Sequence, residues 1–364
     1  MVTARAAILR ECPGSLKIED VDFVDPGPNE VLVRTVASGL CHSDLHWMQG
    51  KYVPPLPIIL GHEAAGVVEA VGSGVTYLKP GDHVVGCLSV FCGECDYCVT
   101  GRPHLCREPS VRVGPADPPR VQTVAGGVQQ GGQLGAFAEA MVVHEHALVK
   151  IRPDMPLEQA ALLGCATITG VGAVINTAKV PAGATVAVIG AGGVGLNVIQ
   201  GAALAGASRV IAVDLLESKL ELATRFGATD VVDASNCDAV ETVKDLTGGG
   251  VEYAFEAIGL TVTAEQSFAM LTRGGTATVI GLIPAGQNVS LPASDLWMAE
   301  KRLQGSSMGS NSFRYDIPRL VDLYLQGRLN LDDLVSKRIG LDEVNDGFAA
   351  LERGSVARSL IVFE

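Results

Sequence analysis

The chain has 364 residues, 48% of them hydrophobic, and a formal net charge of −13; that length suggests two domains with room for substantial cores. The charge opposes a nucleic-acid partner, because phosphates are repelled where no strong basic patch gathers, and the sequence shows none. No apolar stretch is long enough to cross a bilayer, and the N-terminal MVTARAAILREC lacks the apolar core of a signal peptide. The expectation is a soluble, cytoplasmic protein with no membrane partner. In a reducing compartment its 9 cysteines favour metal ligation over disulfides.

In chain order, the first 150 residues are rich in short β-type runs: EVLVRTVA, AAGVVEAVG, DHVVGCL and AEAMVVHEHALVKI. Gly, Pro and Asp-Gly-type breaks separate them, which reads as an antiparallel, barrel-like β domain. Within it lies FCGECDYCVTGRPHLC, placing Cys92, Cys95, Cys98 and Cys106 at spacings of two, two and seven intervening residues. Each CxxC turn aims two sulfurs inward, so this spacing brings four thiolates to one tetrahedral Zn²⁺. A closed four-thiolate site has no open position, so it is structural. Residues 111–133, VRVGPADPPRVQTVAGGVQQGGQ, read as a long loop.

From about residue 185 the pattern changes. TVAVIG, RVIAVD, TDVVD, VEYAFEAIG and TATVIGL are apolar runs with helical segments between several of them, which argues βα units and a parallel sheet buried on both faces. Gly190, Gly192, Gly193, Val194 and Gly195 form a GxGxxG turn between a Val/Ile strand and a helical pattern, and a second strand ends in Asp214. That is a dinucleotide fingerprint: Gly190 for the tight turn, Gly192 for approach to the pyrophosphate, Gly195 for helix–strand packing. Asp214 accepts from ribose hydroxyls and repels a 2′-phosphate, and neither Leu215 nor Leu216 offers a cation, so NAD is favoured over NADP. A helix around IPRLVDLYLQGR and a short strand, SLIVF, end the chain; this piece is expected to return to the first domain.

Cys41 in SGLCHSDLH, His62 in LGHEAAG and Cys165 in LLGCATITG remain. Singly, each has a plain reading, a small core thiol or a satisfied histidine. Together they match a known catalytic zinc set of two cysteines and one histidine, with the fourth position open.

With these residues, and GHEAAGVVEAVG, the chain resembles the zinc-dependent medium-chain alcohol dehydrogenase family over essentially its whole length. The long loop, ALLGCATITGVGAVINTA and LVDLYLQGRL resemble a dimeric, class III-like bacterial branch near the thiol-dependent formaldehyde dehydrogenases. The resemblance implies an α/β fold: a GroES-like antiparallel β-barrel catalytic domain of residues 1–168 and 305–364, and a Rossmann doubly wound parallel-sheet domain of residues 169–304. It implies Cys41, His62 and Cys165 as catalytic zinc ligands beside a structural zinc on the four cysteines, two per chain. It gives Glu63 a place behind the metal, Asp44 the second N–H of the ligating histidine, and Ser43 and His46 a proton relay to solvent. Thr169 would lie beside the nicotinamide, Lys219 at a coenzyme ribose and Arg358 at the pyrophosphate. His42 stands where many relatives carry a pyrophosphate-gripping Arg. Leu88 stands where many place a large aromatic, with Tyr52 and Phe137 also lining the substrate pocket.

The expected function is reversible hydride transfer from a primary alcohol at the zinc to NAD, giving an aldehyde, by a homodimer. One rival is a dehydrogenase of S-hydroxymethyl thiol adducts, which needs cations at the pocket mouth; Arg112 and Arg120 are candidates. A rival of another class is a catalytically silent, zinc-stabilised NAD-binding protein.

Overall fold

The computed structural model describes residues 1–354 and 357–364. The chain divides into two compact units, one of Met1–Cys165 with Ser312–Glu364 and one of Ala166–Asn311.

The first unit holds a closed barrel. Strand Val2–Leu9 runs antiparallel to Leu16–Phe23 along its whole length, and the circuit continues through Val121–Thr123, Gly126–Gln130 and Ile58–Ile59. Ile8, Phe23, Ile59, Val121, Val128 and Phe137 meet inside with no exposure. Each such side chain contributes about 1.5–3 kcal/mol of burial. Two of the five strands lie in residues 111–133, so the expected long loop is instead a hairpin that closes the barrel. Its strands are only 3 and 5 residues long and rich in Gly and Gln, so no apolar alternation marks them.

The unit's other sheet has seven strands, in the order Leu148–Ile151, His83–Gly86, Glu63–Val71, Glu30–Gly39, Arg358–Val362 and Val335–Ile339, with Ala140–His144 also on Glu30–Gly39. The last strand, Arg358–Val362, is laid antiparallel on Glu30–Gly39. This sheet supplies most positions of the site described below.

The second unit is a six-stranded parallel sheet in the order Asp230–Asp233, Arg209–Asp214, Thr185–Ile189, Val251–Glu256, Leu271–Val279, Arg302–Gly305. Numbered along this unit, the order is 3-2-1-4-5-6, that of a doubly wound dinucleotide-binding sheet. The inner strands are mostly apolar because helices cover both faces; Val186, Ala187 and Val188 are fully buried. Among the described residues no single helix is long and apolar enough to cross a membrane.

Candidate active site and metal centres

Three separate segments of the first unit bring Cys41, His62 and Cys165 together. Cys41 caps helix His42–Met48 just after strand Glu30–Gly39. His62 immediately precedes strand Glu63–Val71. Cys165 follows the short turn Leu162–Gly164. One ligand atom from each of these three residues and Glu63 lies within 4.8 Å of every other, and all four residues are buried. Zinc with bonds of about 2.0–2.3 Å to N and S holds its ligand atoms roughly 3.3–3.8 Å apart, and in this set every pair lies within 4.8 Å, so a small inward movement closes it on such an ion.

Asp44 orients the histidine. Its Oδ1 accepts from Gly61 N at 3.0 Å and lies 3.2 Å from His62 Nδ1. Gly61, at φ +92°, turns the chain in a way few side chains allow. His62 Nε2 is then left buried without a hydrogen-bond partner. An orphaned ring nitrogen between two thiols is costly unless something occupies the gap, and a cation satisfies it. Burial opposes charge on His62, but Asp44 and Cys41 outweigh it and hold its pKa well above the ordinary value. A hydrogen bond from Cys165 and the charge of His62 hold the Cys41 thiol well below the usual range despite its burial. Cys165, bonded to Cys41 and buried, is pushed well up.

Glu63 sits behind this set with no exposure, and Arg358 Nε approaches its Oε2 at 3.3 Å. Burial raises the Glu63 carboxyl to about 7 against the opposing pull of Arg358. Arg358, expected at the pyrophosphate, is 2% exposed and faces Glu63. The buried partner the structure gives it is therefore a carboxylate of its own unit.

The relay and pocket residues divide. Ser43 Oγ lies 3.7 Å from Cys41 Sγ. His46, on the same helix, has its Nδ1 buried without a partner, and burial with nearby Lys51 lowers its pKa. Its ring is 6.5 Å from that of Tyr52. His42 is exposed on the helix's first turn. Leu88 is half-buried, and both it and His62 lie next to Gly132. Phe137 does not line a pocket. It has no exposure and packs edge-on against Phe348 at 5.8 Å in the barrel core. Arg112 and Arg120 are not free for an acidic thiol either. Arg112 donates to Val90 O and Cys106 O, and Arg120 is 7% exposed and pairs with Glu30.

The four-cysteine loop is built differently. Sγ of Cys98 lies 3.8 Å from that of Cys92 and 3.5 Å from that of Cys95, and all four sulfurs lie within 4.8 Å of one another. Tetrahedral Zn–S bonds of about 2.3 Å place sulfurs roughly 3.8 Å apart, so the set fits a four-thiolate zinc. Backbone amides already point at the sulfurs: Glu94 N and Cys95 N donate to Cys92 Sγ at 3.3 and 3.2 Å, and Cys92 N donates to Cys106 Sγ at 3.3 Å. Those amides pull Cys92 down to about 7, while burial and the neighbouring sulfurs push Cys98 up to about 12.

In the second unit the glycine turn follows strand Thr185–Ile189 and opens helix Gly193–Leu204. Gly190 has φ +96°, and a Cβ there would meet Ile258 at 2.6 Å. A Cβ on Gly195 would collide with Gly190 O, whereas Gly192 faces open space. These are the three spatial demands of a dinucleotide turn. Asp214 accepts from Ala191 N, Leu215 N and Leu216 N at 2.8, 2.8 and 3.2 Å, so it braces the turn as well as ending its strand. Thr169 Oγ1 donates to Met308 Sδ at 3.6 Å, and Lys219 is half-buried in helix Glu217–Arg225. The sequence reading missed Glu256. It is fully buried, and its Oε1 accepts from Ile258 N, Gly259 N and Thr263 Oγ1 at 2.7–2.8 Å, which sets Ile258 over Gly190. A carboxylate closing the apolar end of the run VEYAFE, after Ala254 and Phe255, was its only signal.

Comparison with known proteins agrees with this architecture. A family model described as "Alcohol dehydrogenase GroES-like domain" matches residues 27–153, and one described as "Zinc-binding dehydrogenase" matches residues 193–326. A putative alcohol dehydrogenase D of Mycobacterium tuberculosis is 41% identical over 98% of this chain and 99% of its own length. An NDMA-dependent alcohol dehydrogenase of Amycolatopsis methanolica is 40% identical over 98% of each chain. The crystal structure of benzyl alcohol dehydrogenase from Acinetobacter calcoaceticus superposes with a TM-score of 0.93 at 36% identity, covering 100% of both chains. With the two family models, the two ligand sets and the dinucleotide turn all in register, the chain belongs to the zinc-binding, medium-chain alcohol dehydrogenase family.

Proposed function

We propose that the protein is an NAD-dependent dehydrogenase of primary alcohols, run reversibly to the aldehyde, with one catalytic and one structural zinc per chain. The observation that carries this reading is the buried Cys41, His62 and Cys165 set with its orphaned His62 Nε2. Zinc held by those three residues would act as a Lewis acid that lowers the pKa of an alcohol at the open position, and the nicotinamide would accept the hydride. The chain's own residues do the rest. Asp44 fixes the tautomer and direction of His62. Ser43, beside Cys41, takes the alcohol's proton, and His46, held neutral near pH 7 by burial, passes it to solvent. Leu88 in place of a bulky aromatic leaves room beside His62 for a broad alcohol, in keeping with a relative named for benzyl alcohol. Asp214 favours NAD, because its carboxylate would repel a 2′-phosphate.

The thiol-adduct reading loses its two cations, since Arg112 and Arg120 are engaged within the fold. A homodimer belongs to the same proposal and is checked by light scattering. The activity test is NADH absorbance with a panel of aliphatic and aromatic primary alcohols, repeated with NADP and with added low-molecular-weight thiols. Because one relative is named as NDMA-dependent, the panel is also run with NDMA in place of added NAD. Two zincs per chain and NADH formation support the reading. One zinc and no turnover on any alcohol support the silent NAD-binding protein.

A further inference from the structure

A continuous run of contacts in the first unit joins the four-cysteine loop to the buried Cys41, His62 and Cys165 set. It starts at Gly132, whose φ is +60° and where a Cβ would meet His62 Cβ at 3.0 Å and Leu88 Cβ at 3.5 Å. The backbone here lies directly against the candidate ligand. The next residue, Gln133, is also left-handed, at φ 65°, a conformation unfavourable for a residue with a side chain unless its surroundings hold it there. Its own amide provides the hold. Oε1 accepts from Val113 N at 2.8 Å and Nε2 donates to Val113 O at 3.1 Å. One residue earlier, Arg112 Nη2 donates to Val90 O at 2.6 Å and to Cys106 O at 2.9 Å. Cys106 is one of the four loop cysteines, and Val90 stands midway between Leu88 and Cys92 in the sequence. Packing follows the same route: Val90, Val111 and Leu134 share one buried cluster, with Cys92 against it.

We propose that Gln133 and Arg112 are positioning residues that transmit the order of the four-cysteine loop to His62 and Leu88. The four-cysteine loop then has a duty beyond stabilising the fold. Once closed, it fixes Cys106 O and Val90 O. Arg112 reads both carbonyls, Gln133 fixes the 131–133 turn on Val113, and that turn sets the wall against which His62 and Leu88 rest. The proposal rests on the reading of Cys41, His62 and Cys165 as a metal set.

The test uses full-length protein loaded with cobalt(II) in place of zinc. In such protein, a site of two thiolates and an imidazole absorbs differently from one of four thiolates. Release from the two-thiolate site is followed after adding EDTA. Gln133→Ala and Arg112→Ala are each expected to shift that site's absorption and to speed its release several-fold. The double variant should be no faster than the quicker single one, as contacts in series require. Arg112→Lys, whose ammonium can serve both carbonyls, should restore most of the wild-type rate. Wild-type absorption and release in folded Gln133→Ala overturn the proposal, as do additive effects in the double variant, or a lower Tm with an unchanged spectrum. Should Arg112→Ala fail to fold, Gln133→Ala and Arg112→Lys carry the test. Uptake of one cobalt per chain, at the four-cysteine loop alone, defeats the metal reading itself; two cobalts with unaltered variants defeat the coupling only.

Discussion

The two cysteine clusters share one unit, yet the fold makes them by opposite means. The four-cysteine loop gathers its sulfurs from 15 consecutive residues, 92–106, leaves three of them half-buried and steadies them with backbone amides. The other set gathers from three distant segments, is fully buried, and depends on Asp44, Gly61 and Gly132 to aim one imidazole. The first arrangement is a short local loop whose sulfurs are held by its own backbone amides. The second is built by the surrounding sheet and presents its ligands in advance. On the proposed function, a metal in the first site would be a folding component and a metal in the second a reagent.

The sharpest way to break that contrast is Cys95→Ser against Cys165→Ser. Structural zinc sites bind with on the order of 10 kcal/mol, comparable to the whole stability of a domain. Cys95→Ser is expected to abolish cooperative folding, read as loss of the thermal transition and of one zinc. Cys165→Ser should fold and melt near the wild-type Tm while losing about 10³-fold in kcat/KM, because a Lewis acid supplies several kcal/mol of the barrier. Full activity in Cys165→Ser would remove it from the site, and a cooperative wild-type melt in Cys95→Ser would show that the loop's thiolates do not contribute to the stability of the fold.

A milder change sharpens the second half of the contrast. Asp44→Asn keeps the shape of the side chain but loses its charge on His62 Nδ1. Metal affinity or kcat/KM should fall about 10–100-fold with the secondary structure intact. An unchanged metal dissociation constant would mean that the sheet alone holds the ring.

In the second unit, Asp214→Gly with Leu215→Arg should move the NAD-to-NADP ratio of kcat/KM by about tenfold or more toward NADP. It should also lower Tm, because Ala191 N loses its acceptor. A shifted preference without lost stability would show that the carboxylate does not brace the turn.

An effect confined to acid pH, and absent at neutrality, belongs to a histidine that faces no ligand set. His144 is 8% exposed. Burial, with His146 and Arg120 nearby and Glu30 opposing them, lowers its pKa to about 4, and Arg314 adds to the lowering. The unfolded chain takes this proton near the ordinary value of about 6.5, while the folded chain refuses it until near 4. Its contribution to stability is therefore complete above about 6.5 and is lost as the pH falls from there toward 4. His144→Asn should flatten the fall of Tm with pH in that window. An identical slope would place the acid sensitivity elsewhere.

How much the sequence disclosed follows the same division between local and distant. The four-cysteine loop and the glycine turn were legible from spacing, since each is a single segment whose residues meet because they are neighbours. The parallel sheet was legible because strands buried on both faces have few polar positions. The Cys41, His62 and Cys165 set was read from its residue types as a known zinc combination and assigned as ligands by resemblance, since nothing in three separate segments says that they converge. What escaped were consequences of burial. Phe137 was placed in a pocket and lies in the barrel core. Residues 111–133 were read as a loop and contain the hairpin that closes the barrel, because Gly126 and Gly127 interrupt any apolar alternation. The pairing of Arg358 with Glu63 was invisible as well, because it depends on two strands 295 positions apart.

That last distance sets a timetable for synthesis. The four-cysteine loop has all its sulfurs once residue 106 has left the ribosome, so it can take its metal on an unfinished chain. Residue 165 completes the other ligand set, but the strand carrying Arg358 emerges nearly 200 residues later, and only then does Glu63 gain its cationic neighbour. Chains grow from the N-terminus at about 5–20 residues per second, so the two sites mature at least ten seconds apart. A chain that stops short of Arg358 would thus carry all four loop cysteines and still lack the charge balance beside Cys41, His62 and Cys165.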